Sequence, residues 1–226
     1  VFAIGDMIAA GASVKIGIKL GEKKEKDASN IFSITILLML IINSIFMILS
    51  LVFAKDIIFI LIKDKELASL SYKFAYVFIL ALPIIGPFFA LDNYLRICGK
   101  ANMSMWVNII VSILNIILDA ILIGYLKFGI EYAAFASALS MFIGALISLY
   151  PFIMKKVALR FTKPKVDVKE ILYIVYNGSS EFFSNISGSI MSIITNGFLL
   201  HYGGPVGVAA YSIVMYIDAL MSPVLF

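Results

Sequence analysis

The chain holds one cysteine, Cys98, and one histidine, His201. A lone cysteine excludes an internal disulfide and any multi-cysteine metal site, and a lone histidine removes most histidine-based metal and catalytic schemes. Charge is scarce too. Asp, Glu, Lys and Arg make up 14% of the 226 residues, and 62% are hydrophobic. A soluble domain carries about 25% charged and about 45–50% apolar residues. The net charge of +4 does not suggest nucleic acid. No P-loop, metal-ligand spacing or nucleophile motif is present, so the sequence points to no ATP use, no cofactor and no enzyme activity.

What the chain has instead is long uncharged runs. Residues 31–54, 74–91 and 101–118 carry no Asp, Glu, Lys, Arg or His. Runs of this length suit membrane-crossing helices, whereas barrel strands would alternate over about 10 residues. The expected fold is all-α, a polytopic transmembrane helical bundle. The predicted spans are 1–20, 31–54, 68–95, 103–126, 130–154, 171–200 and 205–226. GEKKEKDASN reads as a charged loop, KDIIFILIKDKE as a mixed interfacial segment, and GGP after His201 as an outer turn. Val1 opens the chain in place of Met, and SPVLF ends it within an apolar run. It is therefore expected to be an interior piece of a longer protein.

Lys and Arg fall into alternate loops. Thirteen lie in the set that contains Lys15 to Lys26, Arg96, Lys100 and Lys155 to Lys169, against five in the set that contains Lys55, Lys63, Lys65, Lys73 and Lys127. The richer set is predicted to face the cytoplasm. Its longest member, KKVALRFTKPKVDVKE, is the expected link between two halves. The predicted division is 1–156, a linker at 157–170, and 171–226.

A few acids stand where lipid forbids them. An acid in a membrane helix costs about 2.5–3.5 kcal/mol on insertion scales, so it tends to face a cavity or a partner. Asp119 follows the run 101–118, and Asn115 lies one turn earlier on the same face. A carboxylate beside an amide can hold a proton or a cation. The alternative is that Asp119 anchors a helix end near Gly124, Tyr125 and Lys127. Asp92 and Arg96, four apart, share a helix face and can neutralise each other. Glu181 lies in YNGSSEFFSNISGSIMSIITN, where the polar residues Asn177, Ser180, Ser184, Asn185, Ser189, Ser192 and Asn196 line the span, many of them three or four apart. That stretch reads as cavity lining, or else as hydrogen-bonding glue between helices. Asp6 and Asp218 each stand alone in an apolar run.

Together these features resemble the multidrug and toxic compound extrusion (MATE) transporters. LRICGKANMSMWVNIIVSILNIILDAILI is similar to the family's Arg-x-x-Gly, Ser-Met, Asn-x-x-x-Asp run across its helices four and five. GASVKIGIKLGEKKEKDA is similar to the end of helix two, and GIEYAAFASALS to the start of helix six, with Glu131, Tyr132, Ala133 and Ser137 departing from the pattern. YNGSSEFFSNISGSIMSIITN and GVAAYSIVMYI resemble helices seven and eight.

The resemblance implies twelve helices in two six-helix lobes, of which 1–156 would supply the N-lobe part and 171–226 the start of the C-lobe. It implies export of cationic, amphipathic drugs from the cell membrane in exchange for H+ or Na+, by a monomer. The family's N-lobe cation site would match Asp119 and Asn115, with Asp92 or Asn93 and Ser137 beside them. Glu181 would match a helix-seven acid, and Asn177, Ser180, Asn185, Asn196 and Asp218 would line the cavity. The partner acid on helix one has no counterpart here. A lipid-linked oligosaccharide flippase or polysaccharide exporter of the same wider superfamily is the alternative. It is disfavoured because such cavities need basic groups, and here Lys and Arg other than Arg96 stay in loops. A lipid-modifying enzyme would need clustered His or acids at an interface, and a scaffold would gain nothing from intramembrane acids.

Overall fold

Three helix ends close in the same way, and all three belong to the Lys/Arg-rich side. α1 (Phe2–Gly21), α3 (Lys65–Ile97) and α5 (Glu131–Ile153) each run into a left-handed residue: Lys23 at φ 59°, Gly99 at φ 73° and Lys155 at φ 55°. The next residue then donates its amide back five positions. Lys24 N reaches Lys19 O at 2.9 Å, Lys100 N reaches Leu95 O at 2.8 Å, and Lys156 N reaches Pro151 O at 2.9 Å. This is the Schellman arrangement, which satisfies carbonyls the helix leaves without partners. Glycine adopts the left-handed turn at no steric cost, while the two lysines accept that cost and set positive charge at the negative end of a helix dipole.

The computed structural model describes the backbone of residues 2–62 and 64–225, and side-chain surroundings for 3–62, 64–204 and 206–217. The remaining helices are α2 (Glu25–Leu61), α4 (Ala101–Asp119) and α6 (Val168–Leu225). No strand occurs among the described residues. α2, α3, α4 with the turn after it, and α5 are long and apolar enough to cross a membrane, and Val206–Ile217 is a shorter apolar helix.

Two boundaries differ from the sequence reading. The charged segment at 22–30 is mostly helix, because α2 starts at Glu25, and α2 continues through Lys55 and Asp56 to Leu61. Nothing from Glu22 to Leu82 is Gly or Pro, so no backbone feature stops the helix where the charges begin. It ends just before Asp64, whose side chain caps α3 by accepting from Glu66 N at 2.9 Å and Leu67 N at 3.1 Å. His201 also lies on helix rather than in a loop, and the chain kinks at Gly204, where φ is 59° and ψ is −164°.

The chain divides into two units, Val1–Glu181 and Phe182–Phe226. Within the first, α3 packs against α1, α2 and α5, and α4 lies along α5. The core sits towards the Lys/Arg-rich end. Phe32 of α2 stacks on Phe152 of α5 at 4.9 Å and meets the edge of Tyr94 of α3 at 5.6 Å. All three rings are fully buried. Truncating such a ring to Ala costs about 3–5 kcal/mol. Leu159, beyond α5, is fully buried in the same cluster. The second unit is the remainder of α6 and carries mostly exposed side chains.

Candidate functional site

A cavity of about 310 Å³ opens in the first unit among α1, α3 and the start of α6. Three carboxylates line it: Asp6, Asp92 and Glu181, one from each helix. Asn93 and the guanidinium of Arg96 join them from α3. The small side chains of Ala9 and Ala10 on α1 keep one wall low.

Asp92 is held by three side chains. One carboxylate oxygen accepts from Ser104 Oγ and from Asn108 Nδ2, the latter at 2.8 Å. The other accepts from Arg96 Nη2 at 2.9 Å. Arg96 Nε donates in turn to Ser104 Oγ at 2.9 Å. Ser104 and Asn108 are four apart, so both point from α4 towards α3. The network ties the two helices together and fixes the acid's orientation. The Asp92 side chain is 15% exposed and that of Arg96 58%, so the guanidinium faces the open side.

A second group lies further along α4. Asn115 Nδ2 donates to Ser137 Oγ of α5 at 3.0 Å. Asp119 follows one turn on, with Oδ1 buried and without a hydrogen-bond partner. Such an oxygen carries a desolvation cost of about 1–3 kcal/mol. Immediately after it the helix widens into a π-helical stretch, Ala120–Tyr125. π-turns of this kind often mark functional positions. Asp119 stands eighteen residues past Ala101, about 27 Å along the helix, which places it at the end of α4 away from the Lys/Arg-rich side.

The family resemblance implies one cation site of Asp119, Asn115, Asp92, Asn93 and Ser137. The structure brings Asn115 and Ser137 together beside Asp119. It places Asp92 with Ser104 and Asn108, the latter eleven residues before Asp119 and so about 16 Å away along the axis. The cavity group is likewise divided. Glu181 lines the cavity with Asp92. Asn177 turns back to its own helix, donating to Tyr173 O at 3.0 Å, and Ser180 is exposed. Asn185 and Asn196 belong to the second unit, where Asn196 Nδ2 donates to Ser192 Oγ at 3.4 Å. The side chain of Asp218 lies outside the described residues.

The comparisons with known proteins settle the kinship. A family model described as MatE matches residues 1–121, more than half of the chain. The chain belongs to the MatE family. It is 30% identical over 223 residues to multidrug export protein MepA of Staphylococcus aureus (strain NCTC 8325 / PS 47), covering 94% of this chain and 48% of that protein. It is 25% identical over 222 residues to probable multidrug resistance protein YoeA of Bacillus subtilis (strain 168), covering 94% of this chain and 47% of that protein. Among solved structures, the outward-facing conformation of a multidrug resistance MATE family transporter superposes with a TM-score of 0.89 at 27% identity, over 99% of this chain and 50% of that one. The inward-facing conformation gives 0.87 at 27% identity, over 99% and 52%. The chain thus spans about half the length of the curated relatives it matches.

As a MatE member the chain is an all-helical, multi-pass membrane protein, of a family of transporters rather than enzymes. Its site also contains residues that the sequence reading does not single out. Ser104 and Asn108 are visible in the sequence as a polar pair, four apart on one face of α4. Their target is not, because it lies on α3 across a helix contact. Asp6 stands out in the sequence only as an isolated acid, and its place in the cavity depends on how α1 packs.

Proposed function

We propose that this chain forms part of a secondary multidrug antiporter, which exports cationic, amphipathic drugs in exchange for H+ or Na+. The observation that carries the reading is the cavity with Asp6, Asp92 and Glu181 on three helices of an apolar bundle. Three carboxylates against one guanidinium favour a positively charged cargo. The same balance opposes the anionic pyrophosphate of a lipid-linked oligosaccharide.

In this reading the coupling ion loads at Asp119, where the unpartnered carboxylate oxygen has most to gain. Drug and ion then drive transport only through unequal affinity for the two conformations. Arg96 keeps Asp92 neutralised while the cavity is empty, so an incoming cation competes with it for the carboxylate.

Everted vesicles carrying the full-length parent and a fluorescent cationic drug test this. Drug movement under an imposed proton or sodium gradient is expected, and names the ion. Asp119→Asn should abolish the movement while leaving the protein in the membrane. No movement under either gradient, or full transport by the variant, overturns the reading.

A further inference from the structure

A cavity of about 500 Å³ opens at the Lys/Arg-rich end between the first turn of α4 and the last turn of α5. Lys100, Asn102 and Met103 line it from the α4 side, and Tyr150, Pro151 and Lys156 from the α5 side. It lies apart from the acid-lined cavity and shares no residue with it.

Both lysines stand among apolar and neutral polar neighbours on the cavity wall. Among the described residues neither has a carboxylate within ion-pair distance. The sequence explains this: no Asp or Glu occurs from Asn93 to Leu118 or from Tyr132 to Val166. Lys156 is nevertheless held in place. The left-handed turn at Lys155 folds the chain back, so that Lys156 Nζ donates to Tyr150 Oη at 2.9 Å and lies 4.6 Å from the centre of that ring. Lys100 directly precedes α4, whose first amides add the positive end of the helix dipole.

The surroundings of the cavity are apolar and exposed. Tyr150 is 46% exposed, Ile153 55% and Met105 49%. Trp106, one turn beyond Asn102, is 59% exposed. Tryptophan and tyrosine at this level mark the boundary between headgroups and acyl chains. A basic pocket between membrane helices on the cytoplasmic side, opening onto lipid, is matched by the headgroup of an anionic phospholipid.

We infer that the cleft between Lys100 and Lys156 binds an anionic phospholipid headgroup of the cytoplasmic leaflet. The phosphate sits between the two ammonium groups, and the acyl chains run down the exposed face of α4 past Trp106. Charge complementarity selects the phospholipid. A soluble phosphate offers the same charge but nothing for the apolar face beneath it.

Trp106 is the chain's single tryptophan and reports on the site directly. The full-length parent, with any tryptophan outside this chain replaced by phenylalanine, is placed in phosphatidylcholine vesicles with a rising fraction of brominated phosphatidylglycerol or, in parallel, brominated phosphatidylcholine. The expected result is quenching of Trp106 by the anionic lipid at lower mole fraction, with a preference of about fivefold for each lysine and about 25-fold for the pair. The double variant Lys100→Gln with Lys156→Gln should bring the preference close to one, while quenching by brominated phosphatidylcholine shows that the variant is still inserted. Lys100→Arg with Lys156→Arg should keep the preference. Equal quenching by the two lipids in the native chain, or a preference that survives in the glutamine variant, overturns the assignment. Relief of quenching by millimolar inorganic phosphate at constant ionic strength also overturns it, because the site would then take the free anion.

Discussion

The Asn30 side chain grips both backbone groups of Lys165. Its Oδ1 accepts from Lys165 N at 2.8 Å, and its Nδ2 donates to Lys165 O at 3.2 Å. The contact spans 135 residues of sequence and is repeated along the same helix. Ser29 Oγ accepts from Arg160 N at 3.1 Å, and Ser33 Oγ accepts from Thr162 N at 2.9 Å. Residues 157–167 therefore form a strap laid along the start of α2, with Leu159 pinned in the core. Three short polar side chains supply partners for the backbone of this segment, which lies outside any helix.

Asn30→Ala should free the end of that strap. Loss of two hydrogen bonds costs about 1–3 kcal/mol, reduced here because the site is exposed. Trypsin should cut after Arg160 and Lys165 several-fold faster in the variant. An unchanged cleavage rate would mean that the asparagine does not hold the strap.

Gly11 and Gly178 mark the closest approach of α1 to the start of α6. A Cβ at Gly178 would strike Met7 O, and one at Gly11 would strike Ile174 O. Gly178→Ala should therefore destabilise the protein, despite the helix-propensity gain of about 1 kcal/mol from replacing glycine. Gly17→Ala is the control, since nothing lies within 4 Å of a Cβ there, and it should raise the melting temperature. Thermal unfolding in detergent should move the two variants in opposite directions.

Ser104→Ala removes a donor to Asp92 and an acceptor for Arg96 at once. A cost of about 1–2 kcal/mol is expected, somewhat more than for a lone neutral hydrogen bond. Because the residues share one network, the change should cost less in an Asp92→Asn background. A coupling of at least about 0.5 kcal/mol in the double-mutant cycle is the expected result. Additive effects would show that serine and aspartate act separately.

Burial pushes the Cys98 thiol above its ordinary value of 9.0, against a smaller downward pull from the backbone of Leu159 and Ala158. Maleimide labelling at neutral pH should then be slower in the folded chain than after denaturation, because the thiolate is the nucleophile. The raised folded-state value fixes the sign for stability. The contribution is complete below pH 9.0 and is lost as pH rises through the folded-state value. A labelling rate that is the same before and after denaturation would contradict this.

Much of this architecture is legible in the order of the residues. The joint at Cys98, Gly99 and Lys100 is where α3 ends and α4 begins, because glycine accepts the left-handed turn that α3 needs there. The Asp92–Arg96 pair follows from spacing alone. The length of α2 does not, since Lys55 and Asp56 read as an interface although nothing in the backbone ends the helix there. The strap reads only as a linker, because the side chains that hold it lie more than a hundred residues earlier.

By itself the sequence determined the solvent and the element type. A chain that is 62% hydrophobic with uncharged runs of up to twenty-four residues must satisfy its backbone within helices in lipid, and lysine placement orients them. Only the tertiary structure decided which polar groups meet. Asp6, Asp92 and Glu181 come from helices far apart in sequence, and Asn108 finds Asp92 sixteen residues away across a helix contact. Spacing along one helix fixes which side chains share a face, whereas partnership between helices depends on rotation and axial offset, which packing alone sets.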